Sequence, residues 1–127
     1  KNFMTNNIFE QINKINKHGS EYWSARDLYK LLGYTEYTKF TPAIERAKEA
    51  CKNSGQNIYD HFAHVSEMVL IGSEARRLVD DYSLSRYACY LIAQNGDSRK
   101  EEIALAQTYF DKISMSATVH HCLFALA

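Results

Sequence analysis

The apolar positions of this chain change period along its length, and each change marks an expected element. Ile8, Phe9, Ile12 and Ile15 follow helical spacing with a shift toward strand at the end, and His18-Gly19-Ser20 reads as a turn. Glu21-Tyr22-Trp23 follows as a short strand, so this stretch predicts a small hairpin. Ser24–Gly33 is the best-specified helix. Leu28, Leu31 and Leu32 make one face, and Ser24 stands at the N-cap with Asp27 completing a capping-box variant. Trp23 can staple onto Leu28, and Gly33 closes the helix in the left-handed conformation. Thr35 to Phe40 reads as a turn or short helix. A second helix is expected from Thr41-Pro42, with Pro42 at its first position, where the missing N–H costs nothing. Phe40, Ile44, Ala47 and Cys51 form its stripe, Asn53-Ser54-Gly55 stops it, and Asn57 to Phe62 gives one more helical turn.

Val65–Ile71 and Arg76–Tyr82 are two short β-prone runs around Gly72-Ser73, so a second hairpin is expected. Ser83 is expected to cap a helix carrying Leu84, Tyr87, Ala88, Leu91 and Ile92, which Asn95-Gly96 ends. Asp97 or Ser98 caps the next, with Ser98 and Glu101 as a capping box and Ile103, Ala106, Phe110 and Ile113 on its buried face. The expected fold class is α+β: a mainly helical single domain with one or two small antiparallel β-hairpins. Trp23 through Cys51 forms a unit like a helix-turn-helix of the winged type. From Ile113 onward no Asp, Glu, Lys or Arg occurs, so the chain divides into a domain, 1–112, and an uncharged apolar tail, 113–127. Such a tail buries into its own domain or into a second chain, which makes a homodimer one expectation. It is too short, and too interrupted by His120 and His121, for a membrane anchor.

Composition narrows this picture. A chain of 127 residues that is 46% hydrophobic and 24% charged suits one globular domain and is too apolar for a disordered chain. Fifteen basic residues balance fifteen acidic ones, which speaks against a sequence-blind polyanion clamp and confines any DNA contact to a local face. Three widely spaced cysteines, with no ladder of zinc type, fit a reduced cytoplasmic protein. Cys51 and Cys89 fall on apolar stripes and read as inert thiols. Asp60-His61-Phe62-Ala63-His64 offers two histidines and a carboxylate but lacks a third ligand, and His120-His121-Cys122 is equally short, so neither a metal nor a cofactor is expected. With no nucleophile elbow, P-loop or dinucleotide fingerprint, no catalytic activity is expected. Arg86 is expected to pair with Asp80 or Asp81 across a helix start.

The helical pair carries the DNA hypothesis, because such units lay one helix in the major groove and brace it with the other. Arg26, Lys30, Lys39, Arg46, Lys48 and Lys52 would supply phosphate contacts. Tyr34 and Tyr37, in the exposed turn, could stack on unpaired bases. Between Tyr34 and Asp60, however, four basic residues meet four acidic ones, the pattern of any solvated helix face. Arg76, Arg77, Arg86, Arg99 and Lys100 are further candidates for phosphate.

Longer strings go beyond these patterns. Glu21-Tyr22-Trp23-Ser24-Ala25-Arg26-Asp27-Leu28, Leu32-Gly33-Tyr34, Ala47 through Gly55, Asp60-His61-Phe62, Leu84 through Asp97 and Arg99 through Phe110 resemble the DNA-damage-inducible protein D family. The resemblance runs from about Phe9 to Phe110, and the wider relatives look like the N-terminal Bro domain of phage antirepressors. It implies a regulatory protein of the DNA-damage (SOS) response, acting on single- or double-stranded DNA or on a DNA-bound recombination protein, with no catalysis or cofactor. It equally accommodates an antirepressor or recombinase-filament modulator that never touches DNA. Members of the family continue beyond the Phe110 match with a polar helical region where this chain has its apolar tail, and Ser98 stands where a Pro is common.

Overall fold

The computed structural model describes residues 8–111. A helical turn, α1 (8–11), leads into β1 (Asn13–Ile15) and β2 (Glu21–Ser24). Then come α2 (Ala25–Leu31), α3 (Tyr37–Asn53), α4 (Ile58–His61), β3 (Phe62–Ile71), β4 (Ala75–Leu84), α5 (Arg86–Gln94) and α6 (101–111). The four strands form one antiparallel sheet in the order β1-β2-β4-β3. This overturns the expectation of a mainly helical domain with separate small hairpins. The two hairpins are joined by Trp23 opposite Leu84 and Ser24 opposite Ser83. That pairing links segments some sixty residues apart, so no local pattern announces it, and it is stabilised by burying Trp23, Leu84 and Phe62.

The helix-turn-helix expectation is not established either, although α2 and α3 do touch. α2 packs on β2 and β4, while α3 packs on α5, so the two helices are parts of one sheet-backed core. α3 buries Phe40, Ala43, Ile44, Ala47 and Cys51, and α5 buries Ala88, Cys89, Ile92 and Ala93. At the other end Phe9, Trp23 and Phe110 meet with ring centroids 5.3–5.4 Å apart. The Trp23 indole N–H donates to the Phe9 carbonyl at 2.9 Å, which satisfies its polar atom inside this apolar cluster.

Several boundaries move. α3 begins at Tyr37, so Pro42 lies inside the helix rather than at its start. The carbonyl that the proline leaves without an amide partner, Thr38, accepts instead from the Thr41 hydroxyl at 3.0 Å. β4 runs through Leu84, so the cap of α5 is Ser85, whose Oγ accepts from the Ala88 N–H. Asp97, not a Ser98–Glu101 box, holds the turn before α6, accepting from the Arg99 N–H. Ser24 stands at the N-cap of α2 but makes no side-chain cap. Its hydroxyl donates to Asp81 Oδ2 at 2.5 Å, and Asp81 Oδ1 accepts from the Arg26 N–H. The helix is therefore capped by a buried carboxylate from β4, and Asp27 is free to pair with Lys14 at 3.1 Å. Gly33 does end α2 with φ +87°, where a Cβ would be strained.

β3 and β4 pair over ten residues, far beyond the two positions where β2 meets β4. From Ala63 to Leu78 the hairpin is exposed except for the half-buried Val69, forming an arm that leaves the body. Where β2 and β4 part, a cleft of about 340 Å³ opens, lined by Lys14, Tyr22, Ser24, Glu67, Asp81 and Tyr82 among others. Ile113, Cys122, His120-His121 and the tail expected to carry a homodimer lie outside the described residues.

Candidate nucleic-acid interface

The eight candidate residues fall into two groups. Arg26, Tyr37 and Lys48 turn inward around β4. The Arg26 guanidinium lies 4.0 Å from the centre of the Tyr37 ring and donates from Nε to the Asp80 carbonyl at 2.5 Å. Lys48 Nζ donates to the Tyr82 hydroxyl at 3.1 Å and sits 3.5 Å from Glu45. Tyr37 is half-buried against Tyr29 and Phe40. Burial, helped by the charge of Asp81, pushes its phenol up to about 12. These cations and this ring hold α2, α3 and β4 together, so Tyr37 is no exposed stacking platform.

The others face outward. Lys30, Lys39, Arg46 and Lys52 are exposed. Lys39 and Arg46, seven residues apart, share one side of α3. The loop 95–100 meets this side at one end, where Arg46 Nη2 donates to the Asn95 carbonyl at 3.4 Å, and at its other end the Lys100 ammonium lies 4.7 Å from the centre of the Tyr34 ring in the α2–α3 connection. Tyr34 is half-buried on Phe40, with ring centroids 5.1 Å apart, so it is a partly covered ring beside a cation. Among the described residues, Lys14, Lys48, Arg86 and Arg99 form ion pairs with carboxylates, whereas Lys30, Lys39, Arg46, Lys52 and Lys100 do not.

Arg86 has a different partner from the one expected. It makes a bidentate pair with Glu21 (2.7 and 3.0 Å) and lies over the rings of Trp23 and Tyr109. Its hydrogen bonds hold the Glu21 carboxyl below the usual range. His61 and His64 do not converge. His61 Nδ1 bonds Ser85 Oγ at 2.7 Å and packs edge-on to Tyr87, while His64 lies 3.7 Å from Asp80 on the arm. Cys51 and Cys89 are buried, and burial pushes both thiols up, away from the thiolate a nucleophile needs.

Sequence reasoning found the hairpin around Gly72-Ser73 but not its ten-residue pairing or its projection from the body as an arm. Its exposed apolar residues, Val65, Met68, Leu70, Ile71 and Leu78, lie within the two β-prone runs. The signal for it is that these runs alternate poorly, carrying apolar residues on both faces, as a strand without a solvent face does.

Comparison with known proteins sets these features in context. Residues 11–111 match the model of the BRO family, N-terminal domain. The chain is similar to the DNA damage-inducible protein D of Escherichia coli (strain K12), 60% identical over 102 residues, which is 80% of this chain and 37% of that protein. It thus spans little more than a third of that relative's length. No solved structure matches. No helix among the described residues is long and apolar enough to cross a membrane.

Proposed function

The chain belongs to the BRO family through its N-terminal domain, and from that premise we propose that it is a non-catalytic regulatory module of the DNA-damage response that docks on DNA. The docking face is the outer side of α3 with the adjoining loop. Lys39 and Arg46 from the helix, Lys100 from the loop and Lys30 from the end of α2 make the phosphate contacts, whereas Lys52 lies about 120° round the helix from Arg46 and off this face. The carrying observation is that Lys30, Lys39 and Arg46 are exposed, Lys100 is half-exposed, and none of the four is in an ion pair of the described residues, whereas Lys14, Lys48 and Arg86 pair with carboxylates and Arg26 lies over Tyr37. The name of the DNA damage-inducible relative supports the damage-response setting.

Titration with single- and double-stranded DNA over a salt series tests this. Affinity should fall as salt rises, because phosphate binding releases counterions. Replacing Lys39 and Arg46 by Ala should weaken binding on every sequence and lower the salt slope by about one for each phosphate no longer neutralised. Lys48→Ala should leave that slope unchanged, since its ammonium is engaged by Tyr82 and Glu45. Salt-independent or absent binding to both DNA forms overturns the proposal. The zero net charge favours a second reading, an antirepressor or filament modulator that acts on a DNA-bound protein, and a pulldown that succeeds equally without DNA would select it.

A further inference from the structure

We infer that the β3–β4 arm is a dimerisation arm, in which the outer edge of β3 pairs antiparallel with the same edge of a second copy, centred on Met68. The inference goes beyond the DNA-docking face, which lies on α3, and the hydrogen-bond ladder supplies its first step. At the foot of the hairpin the Ser85 N–H donates to the His61 carbonyl at 3.0 Å. In an antiparallel ladder bonded pairs alternate, so the odd-numbered residues of β3 bond to β4 and the even-numbered ones turn N–H and C=O outward. β3 ends the strand order. His64, Ser66, Met68 and Leu70 therefore present a row of backbone groups with no partner among the described residues. The opposite edge of the arm is closed near the body, where Arg26 takes the Asp80 carbonyl and Asp81 Oδ1 takes the Tyr82 N–H. A long open edge flanked by exposed apolar side chains is a pairing surface, and natural sheets blunt such edges unless they are used.

The charges and the side-chain order select the occupant. Beyond the body the arm carries Glu67 and Glu74 against Arg76 and Arg77, which cancel and give no pull on a polyanion. Residues directly opposite in an antiparallel pair share a face, so a two-fold pairing of β3 with itself must be centred on a residue. Centring on Glu67 opposes two carboxylates, and centring on Ser66 sets Val65 against Glu67. Centring on Met68 sets Val65 against Ile71 of the second copy and keeps each Glu67 opposite a valine. It also builds one apolar row across four strands, Leu78 and Met68 of one copy continuing into Met68 and Leu78 of the other. Met68 and Leu78 are 55% and 61% exposed in the single chain. Residues 65–71 overlap in this register, and the two bodies lie at opposite ends of the joined arms.

Light scattering and sedimentation equilibrium on the whole chain test the inference. The wild-type chain should be a concentration-dependent dimer. Ser66→Pro removes an outward N–H and no β3–β4 bond, and Met68→Lys places two cations on the axis. Each should weaken association by about tenfold or more while leaving the far-UV dichroism of dilute protein unchanged. In a Cys122→Ser background, Met68→Cys should give an oxidised cross-linked dimer, because a residue paired with itself brings Cα atoms to about 5.5 Å, within disulfide reach. Val65→Cys in the same background should not, since it faces Ile71. A wild-type chain that stays monomeric at all concentrations overturns the inference. So does a dimer that survives both Ser66→Pro and Met68→Lys, or an arm that finds a partner only when DNA or another protein is added.

Discussion

At the base of the sheet Phe62 and Leu84, beside Trp23 of β2, are at most 2% exposed, while farther along β3 and β4 Met68, Leu70 and Leu78 are 55–65% exposed. The residue types are alike and the β3–β4 ladder is continuous through both regions. What differs is what lies over the strands. The base has α2, α5 and α6 upon it, with Phe110 and Tyr109 stacked around Trp23 and Phe9. Among the described residues, no helix lies upon the arm. Hydrogen bonding shapes both regions, but apolar burial is what stabilises the first, and the second keeps that free energy available for an external surface.

The largest effect that would test this contrast is Phe110→Ala. Phe110 is fully buried and meets Trp23, Phe9 and Tyr109. Its loss should cost about 3–5 kcal/mol by chemical denaturation, as a cavity left in a rigid core does. Should Phe110→Ala prove nearly neutral, the base would be no better packed than the arm. A smaller effect is expected at Glu21→Gln, which breaks the bidentate pair with Arg86. Arg86 holds the Glu21 carboxyl below its ordinary value. The pair's contribution is therefore present above the unfolded carboxylate range and lost as pH falls through the lower folded value. Wild type should lose stability on acidification through that window more steeply than Glu21→Gln, and parallel curves of melting temperature against pH would contradict the assignment.

The same contrast explains what the sequence made legible. Elements set by neighbours were readable: α2 between Trp23 and Gly33, the Gly72-Ser73 turn, and the stripe of Phe40, Ile44, Ala47 and Cys51. Features set by distant partners were not. Ser24 reads locally as a capping hydroxyl, yet Asp81, 57 residues away, takes that bond and caps the helix itself. Arg86 has two acids just upstream but pairs with Glu21, 65 residues back. The candidate site divides in the same way. The shared side of Lys39 and Arg46 follows from helix spacing, whereas the capture of Lys48 by Tyr82 depends on how α3 lies on the sheet.

The smallest expected effect is the most discriminating between the two ends. Leu78 lies on the arm, 61% exposed and opposite Met68. Leu78→Ser removes little buried area from the single chain, so dilute protein should change in stability by no more than about 0.5 kcal/mol, as surface substitutions do. If the arm is a dimer surface, the row through Met68 adds buried area only in the associated state. Coupling between association and folding then makes the loss grow with protein concentration. Melting curves of wild type and Leu78→Ser should therefore coincide on dilution and separate as the protein is concentrated. A constant offset would mean that Leu78 stabilises the arm within one chain, and coincidence at every concentration would mean that the apolar row meets no second copy.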